Sequence, residues 1–541
     1  MDTRLLKPDP AGIDQAARLL QAGQLVAVPT ETVYGLAADA LNPTAVASIF
    51  AAKGRPMDNP LIVHIAAIED WAPLVESIPT TARRLAEAYW PGPLTMILPA
   101  APCIPQEVRG GLQTVAVRFP ADPVAQAVIL RTGRPLAAPS ANRSGSPSPT
   151  NAARVMEDMQ GRIAAILDGG RAEVGVESTV LDLSVQPPRL LRPGGITPKM
   201  IEEIIGPIAI DPAVTHALEK GAVAASPGMK YKHYAPKARI QLIKGSPAAY
   251  AHYVQAHAAH GVMALCFDED IPTLSVPTVS YGSRQNPIQQ AQNLFDALRQ
   301  LDEKGATTVF AACPRPEGIG LAVYNRLIRA AGFDVVNAIR VVGLTGPTGA
   351  GKSTAAAAWR EMGIPIIDTD LLARKIVQPG SPCLEELQKT FSCAILNPDG
   401  TLNRTALAEH AFSSPEKTKQ LNAITHPAIL ALAQQKTDDA AEAGYSAIVV
   451  DAPLLFEAGM DAVCDDIVAV IAPEEKRIER IRARDGLSYE QAISRIHAQQ
   501  TDDFYCRPGV TVLHNTGTQE ELKQQAVTLW KNMEKGWWPT G

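Results

Sequence analysis

A chain of 541 residues, 46% apolar and 20% charged, is too long for one hydrophobic core and reads as about three domains. Its 50 basic and 56 acidic residues divide unevenly: the stretch from Ala338 carries 20 and 26, leaving 30 of each upstream, so neither part has the basic excess of a large nucleic-acid groove. No window reaches the ~18 uninterrupted apolar residues of a membrane span, no h-region precedes the first prolines, and seven scattered cysteines without Cys-x-x-Cys pairing suit a reducing cytoplasm.

In chain order, residues 1–210 alternate short strands with helices. Strands are predicted at 25–29, 61–65, 94–98, 114–119, 179–183 and 189–192, and helices at 12–22 and 81–88. Polar loops stand at the strand ends. Pro29-Thr-Glu-Thr-Val-Tyr-Gly35 is expected to be a tight strand-to-helix turn. Lys53-Gly-Arg-Pro-Met-Asp-Asn-Pro60 offers two cations on a proline-stiffened loop, and Arg118 ends a strand. Pro139-Ser-Ala-Asn-Arg-Ser-Gly145, Gly175-Val-Glu-Ser-Thr179 and Arg192-Pro-Gly-Gly195 follow the same pattern. Any one of these is ordinary turn chemistry, and His64 alone is as well explained as a core histidine. Five such loops together point to one cleft for a polyphosphate or nucleotide.

A segment of small residues ending in Ser226-Pro-Gly-Met-Lys-Tyr-Lys-His-Tyr-Ala-Pro236 reads as a linker, and 237–336 as a small α/β unit. From Ala338, strands at 340–344, 364–367, 446–450, 466–471 and 510–513 alternate with helices, as in a parallel sheet covered on both faces. Between the first strand and the first helix lies Gly346-Pro-Thr-Gly-Ala-Gly-Lys-Ser353, the pattern G-x-x-x-x-G-K-[ST] in its required context. Its glycines let backbone N–H groups close on phosphate at a helix N-terminus; Lys352 reaches the β/γ-phosphates and Ser353 holds Mg²⁺. Asp451, at a strand's carboxyl end, is placed to help hold that metal, a helix cap being the alternative. Asp368 or Asp370 could take a proton from an attacking hydroxyl, or cap the next helix. Arg477, Arg480 and Arg484 share one helical face that could close over ATP, or be a solvated face.

Two family resemblances sharpen this. The Pro-Thr-Glu-Thr-Val-Tyr-Gly, Lys-x-Arg-Pro-x-x-x-Pro-Leu, Pro-Ser-Ala-Asn-x-Ser-Gly and Ser-Thr-Val segments, with the linker, resemble the Sua5/YrdC family of threonylcarbamoyl-AMP synthases in its long form, over about residues 5–336. That resemblance implies formation of threonylcarbamoyl-adenylate from L-threonine, bicarbonate and ATP, for N6-threonylcarbamoylation of tRNA adenosine 37. It implies that Lys53, Arg55, Arg118 and Arg192 face the phosphates, with Asn59, Thr114, Ser140, Asn142, Ser148, Tyr231 and Tyr234 also at ATP. Thr32, His64, Arg118 and Ser178 hold threonine, and the linker 230–234 folds over the cleft. Residues 341–530 resemble dephospho-CoA kinase. The match rests on the phosphate loop, Ile367-Asp-Thr-Asp-Leu-Leu-Ala-Arg374, Asp399-Gly-Thr-Leu-Asn-Arg404, Ile424-Thr-His-Pro427, Asp451-Ala-Pro-Leu-Leu-Phe-Glu457 and Arg477-x-x-Arg480-x-x-x-Arg484. The chain departs from that family at Pro347-Thr348 within the loop and at Pro508-Gly509-Val510 before the last strand. The resemblance implies transfer of the ATP γ-phosphate to the ribose 3′-hydroxyl of dephospho-CoA. Asp368 takes the proton and Lys352 acts in catalysis. Gly346, Thr348, Gly349, Ala350, Gly351, Ser353, Thr354 and the Arg477–Arg480–Arg484 lid are at ATP. Asp370, Arg404, His426, Asp451, Pro453 and Leu454 are at dephospho-CoA.

The expected architecture is therefore α/β throughout. Residues 1–210 form a YrdC-like twisted sheet, 211–236 a linker over the active site, and 237–337 a small Rossmann-like accessory domain. Residues 338–535 form a P-loop kinase with a parallel sheet, and 536–541 a tail. Expected partners are the small substrates, with Mg²⁺, and the tRNA-modifying machinery, with tRNA contact weak or indirect and no membrane. A reading of another class keeps the kinase and makes the upstream part an RNA-binding module; threonine-dependent pyrophosphate release separates the two.

Overall fold

The computed structural model describes residues 2–216 and 234–537. Tyr231 and most of the expected linker lie outside them. The chain divides into two compact units, one of residues 1–243 and 254–336, the other of 244–253 and 337–541.

The first unit is built on an eleven-stranded mixed sheet. Its centre runs, in spatial order, through Val26–Val28, Gly35–Asp39, Leu136–Ala137, Ile62–His64, Thr114–Arg118, Leu94–Pro99 and Thr179–Asp182. Its predicted strands lie within two residues of their expected positions. One expectation is overturned. Pro29–Gly35 does not lead into a helix. It is a hairpin turn, and Gly35 pairs with Val28 at the start of an antiparallel strand. Thr30 Oγ makes the turn: it donates to Val33 O at 2.6 Å and accepts from the N–H groups of Thr32 and Val33. The strand Gly-Leu-Ala-Ala-Asp has no β-branched or aromatic residue, so nothing local announces it; burial of all five residues holds it in place. The helix begins later, at Pro43, capped by Asn42 accepting from the N–H groups of Thr44 and Ala45.

The same unit carries a five-stranded sheet in the order Thr278–Ser280, Val262–Cys266, Thr308–Ala312, Arg239–Lys244, Val335–Asn337, parallel across its first four strands. Helices Pro287–Glu303 and Gly320–Ala330 accompany it; every residue of the second is buried. The second unit has a fully parallel sheet, in the order Ile366–Asp368, Ala447–Asp451, Arg340–Thr345, Asp466–Ile471, Val510–His514. Helices Lys352–Glu361 and Gln519–Trp537 cover one face through Trp359 and Trp530. Helix Pro415–Glu442 covers the other through Ala433, Ala440 and Ala441. That helix runs unbroken through Pro427, although a proline there removes one main-chain bond.

Candidate active sites

In the first unit, the loops at the strand ends converge on one cavity. Lys53, Arg55, Arg118 and Arg192 reach it from three separate segments, together with Thr32, His64, Ser140, Asn142, Ser178 and Tyr234. Three residues expected at ATP lie outside this lining. Asn59 is buried beneath Arg55, whose guanidinium donates to the carbonyls of Asn59 and Pro60 at 3.4 and 3.3 Å. Thr114 opens the strand that ends in Arg118, opposite Pro99. Ser148 lies one layer behind, donating to Glu177 at 2.5 Å.

The cations differ in what they already do. Lys53 spends its ammonium on the turn opposite, donating to the carbonyl of Ser140, to that of Asn142 at 2.7 Å and to the Asn142 side chain at 3.3 Å. It shapes the Pro139–Asn142 turn, and burial followed by the charge of Arg55 lowers its pKa well below the usual lysine value. Arg118 is an ion pair with Glu31 at 2.7 Å and donates to Thr32 Oγ at 2.9 Å. Arg192 donates to the carbonyl and hydroxyl of Ser178 at 3.0 and 3.1 Å. Burial brings Arg55 and Arg192 down to about 10, which still leaves both charged at neutral pH. Burial, then Arg118, holds His64 down to about 3, so it is neutral and meets the cavity as a hydrogen-bonding ring with Nδ1 3.3 Å from the Ile62 carbonyl. The cavity thus pairs a concentrated positive field with hydroxyl and imidazole groups, which suits a small anion and a hydroxyl-bearing partner. Thr30, Ser144 and Glu177 line it too and went unassigned in the sequence. Glu177 stood in a quoted loop, but an acid among cations carried no signal of its own.

In the second unit, the phosphate loop joins strand Arg340–Thr345 to helix Lys352–Glu361. Gly346 has φ +133°, and a Cβ there would lie 2.1 Å from the Val470 carbonyl. Lys352 stands at the helix's first position and Ser353 is exposed beside it. Asp451 lies opposite Leu344 on one side and Asp368 on the other, so both acids stand at the carboxyl end of the sheet with the loop. Burial pushes the Asp451 carboxyl up to about 6, against the pull of Lys352, and its Oδ1 is buried without a hydrogen-bond partner. An orphaned carboxylate oxygen beside a phosphate loop fits a divalent cation. Among the described residues no group of three or more His, Cys, Asp or Glu converges.

Two expectations change here. Asp368, not Asp370, caps the following helix, its Oδ1 accepting from the N–H groups of Asp370 and Leu371 at 2.9 and 3.1 Å. The arginine face is turned onto the loop itself. Arg477 donates to the Thr348 carbonyl at 3.0 Å, and Arg480 to the Gly349 carbonyl at 3.2 Å. Arg484 is engaged by Asp485 at 2.7 Å. These carbonyls are held from behind, while among the loop's N–H groups that of Thr348 donates to Gln499 Oε1 at 2.8 Å and that of Ala350 to the Pro347 carbonyl at 3.2 Å. Asn515 adds to this, donating to the Ala350 carbonyl at 2.7 Å and accepting from Arg480 at 3.2 Å. As a lone Asn after a strand it offered no sequence signal. Thr354 and Pro453 are half-buried. Of the remaining acceptor-side residues, Arg404 and Asp370 are exposed, Leu454 is 57% exposed, and His426 is half-buried with its pKa lowered by burial.

Three family models match. One described as "Telomere recombination" covers residues 18–194, one for the threonylcarbamoyl-AMP synthase C-terminal domain covers 196–332, and one for dephospho-CoA kinase covers 340–521. The threonylcarbamoyl-AMP synthase of Bacillus subtilis is 48% identical over 328 residues, 60% of this chain and 94% of its own length. The dephospho-CoA kinase of Corynebacterium jeikeium is 45% identical over 189 residues, 35% of this chain and 97% of its own length. The crystal structure of Pyrococcus abyssi Sua5 complexed with L-threonine superposes with a TM-score of 0.58 at 43% identity, covering 62% of this chain and 99% of that one.

Proposed function

This chain belongs to the threonylcarbamoyl-AMP synthase family and, further along, to the dephospho-CoA kinase family, and on that premise we propose which residues run each reaction. It is a bifunctional enzyme. The synthase forms L-threonylcarbamoyladenylate from L-threonine, bicarbonate and ATP, and the kinase converts dephospho-CoA and ATP to coenzyme A.

In the synthase, Arg55 and Arg192 take the triphosphate. Thr32, His64, Arg118 and Ser178 hold threonine, the amino acid named with the Pyrococcus structure. A carbamate oxygen attacks the α-phosphorus and pyrophosphate leaves. The protein's part is to align the two and neutralise charge on the leaving group. Lys53 acts indirectly, by holding the Ser140–Asn142 turn. In the kinase, loop N–H groups and Lys352 hold the phosphates. Asp368 accepts the 3′-hydroxyl proton through the oxygen not used in its cap. Ser353 and Asp451 would hold Mg²⁺, which would supply positive charge against that of the phosphates. Asp370, Arg404, His426, Pro453 and Leu454 form the acceptor side. We assign residues 1–210, 211–236, 237–337, 338–535 and 536–541 to synthase domain, linker, accessory domain, kinase and tail. The location is cytoplasmic, and the adenylate goes to a tRNA-modifying enzyme.

The observation that carries this reading is convergence. Each unit gathers its cations and hydroxyls from distant segments to one place. Lys352→Ala is expected to abolish phosphorylation of dephospho-CoA and to leave threonine-dependent pyrophosphate release within about twofold of wild type, since a transition-state contact is lost at one site only. Arg55→Ala is expected to do the reverse. A folded variant that loses both activities contradicts the assignment.

A further inference from the structure

Glu177 lines the synthase cavity, and its carboxylate is held from outside that domain. Arg326, in helix Gly320–Ala330 of the accessory domain, is 0% exposed. Its Nε donates to Glu177 Oε2 at 2.9 Å. One terminal nitrogen donates to the Pro193 carbonyl at 2.6 Å, and the other to the Glu177 carbonyl at 3.3 Å. A single guanidinium therefore ties together the two loops that carry Ser178 and Arg192. Ser148 completes the grip on Glu177 from the opposite side at 2.5 Å. Neighbours in the same helix hold the start of the linker: Asn325 donates to Val214 O at 2.7 Å and Arg329 to Ala213 O at 2.5 Å. Tyr234, where the described chain resumes, packs its ring 5.3 Å from Phe295 and 5.9 Å from the Arg326 guanidinium, and also lines the cavity.

On the reading of this cavity given above, we propose that Arg326 is a positioning residue of the synthase. Acting through Glu177, it makes the accessory domain a required part of the active site. The physical reason is the cost of the alternative. Glu177 is fully buried, and a buried carboxylate that loses its partner either takes a proton or draws a cavity cation away from substrate. Burial alone would raise its pKa. Arg326 first, then Arg192 and the Ser148 hydroxyl, outweigh that and keep it below the usual carboxylate value. Tyr234 and Lys53 also feel its charge. With Arg326 in place, Arg192 is free to hold Ser178 and to meet phosphate.

The test uses the full chain and follows threonine-dependent pyrophosphate release across pH. Wild-type protein that releases none refutes the reading of the cavity itself. Given wild-type activity, Arg326→Met is expected to lower kcat/KM at least about tenfold and to move the acid limb up by about one pH unit or more, because Glu177 then titrates later. Arg326→Lys should recover part of both, since the charge returns without the fork. In a Glu177→Gln background, Arg326→Met should change ATP affinity and turnover little further, and the limb should not move. Affinity keeps that cycle readable if Glu177→Gln stops turnover. A near-wild-type rate and profile for Arg326→Met overturns the proposal, as does an undiminished loss on top of Glu177→Gln. If Arg326→Met does not fold, an unchanged rate and profile for Arg326→Lys overturns it.

Discussion

Asp451, the proposed Mg²⁺ ligand, is an acid kept partly out of water, and on that proposal its proton should show when the cation binds. Its folded pKa of about 6 lies above the ordinary 3.8, because burial outweighs Lys352. The sign follows: the folded state binds this proton more tightly than the unfolded chain. The contribution is fully present below the ordinary value and is lost as pH rises through about 6. Mg²⁺ needs the carboxylate, so proton and metal compete. The apparent Mg²⁺ affinity of the kinase should weaken steeply below about pH 6, and Asp451→Asn should weaken it at every pH. Rates against Mg²⁺ concentration at about pH 5.5 and 7.5 measure this; equal half-saturation at both would sink it. Gly351 is as specific a demand on the same loop. Its φ is +111°, and a Cβ would stand 2.4 Å from Asn515 Nδ2, the group that holds Ala350. Gly351→Ala should cost the kinase unit roughly 1–3 kcal/mol in strain alone and lose its ATP site, with the synthase untouched. Thermal melting with both assays decides it. The glycines and Lys352 were legible because phosphate binding fixes their spacing. Asn515 was not, because its role exists only once strand and loop are neighbours.

At the scale of elements, helix Glu474–Asp485 shows how a face read from spacing leaves its contacts open. Helical spacing placed Arg477, Arg480 and Arg484 together, but spacing cannot say what a face meets. Two of the three meet the back of the phosphate loop. A supporting role and a lid role differ in their kinetics. If Arg480 preorganises the loop, Arg480→Ala should raise the KM for ATP about tenfold and leave kcat largely intact, since ground and transition states lose alike. A fall in kcat at constant KM would assign the residue to the transferring phosphate. Strands rich in Val and Ile, such as Ala447–Asp451, were found to within a residue or two. Gly35–Asp39 was missed because tertiary burial, not propensity, makes it a strand. The helix Gly320–Ala330 was missed in a different way. Its apolar content marks a core element, and nothing local distinguishes Arg326 from any arginine that caps or solvates a helix.

The whole molecule joins two catalytic units, and the residues proposed for each site come from one of them. The cavity cations Lys53, Arg55, Arg118 and Arg192 belong to the first unit, as does Arg326; the phosphate loop, Asp368 and Asp451 belong to the second. The late position of the phosphate loop made this division readable, because such a loop opens its own domain. The dependence of the synthase on its accessory domain was not readable, because Glu177 and Arg326 are 149 residues apart. Units with separate cores need not unfold together. L-Threonine and dephospho-CoA each belong to one reaction only, so each should stabilise one unit. At about 100 times its dissociation constant, a ligand adds roughly 2.7 kcal/mol to the state that binds it. Calorimetry should therefore resolve two transitions. Threonine should raise one and dephospho-CoA the other, and Lys352→Ala should blunt only the second response to ATP. A single transition raised equally by either ligand would mean that the two sites share one cooperative fold, and the fusion would then be a coupled enzyme.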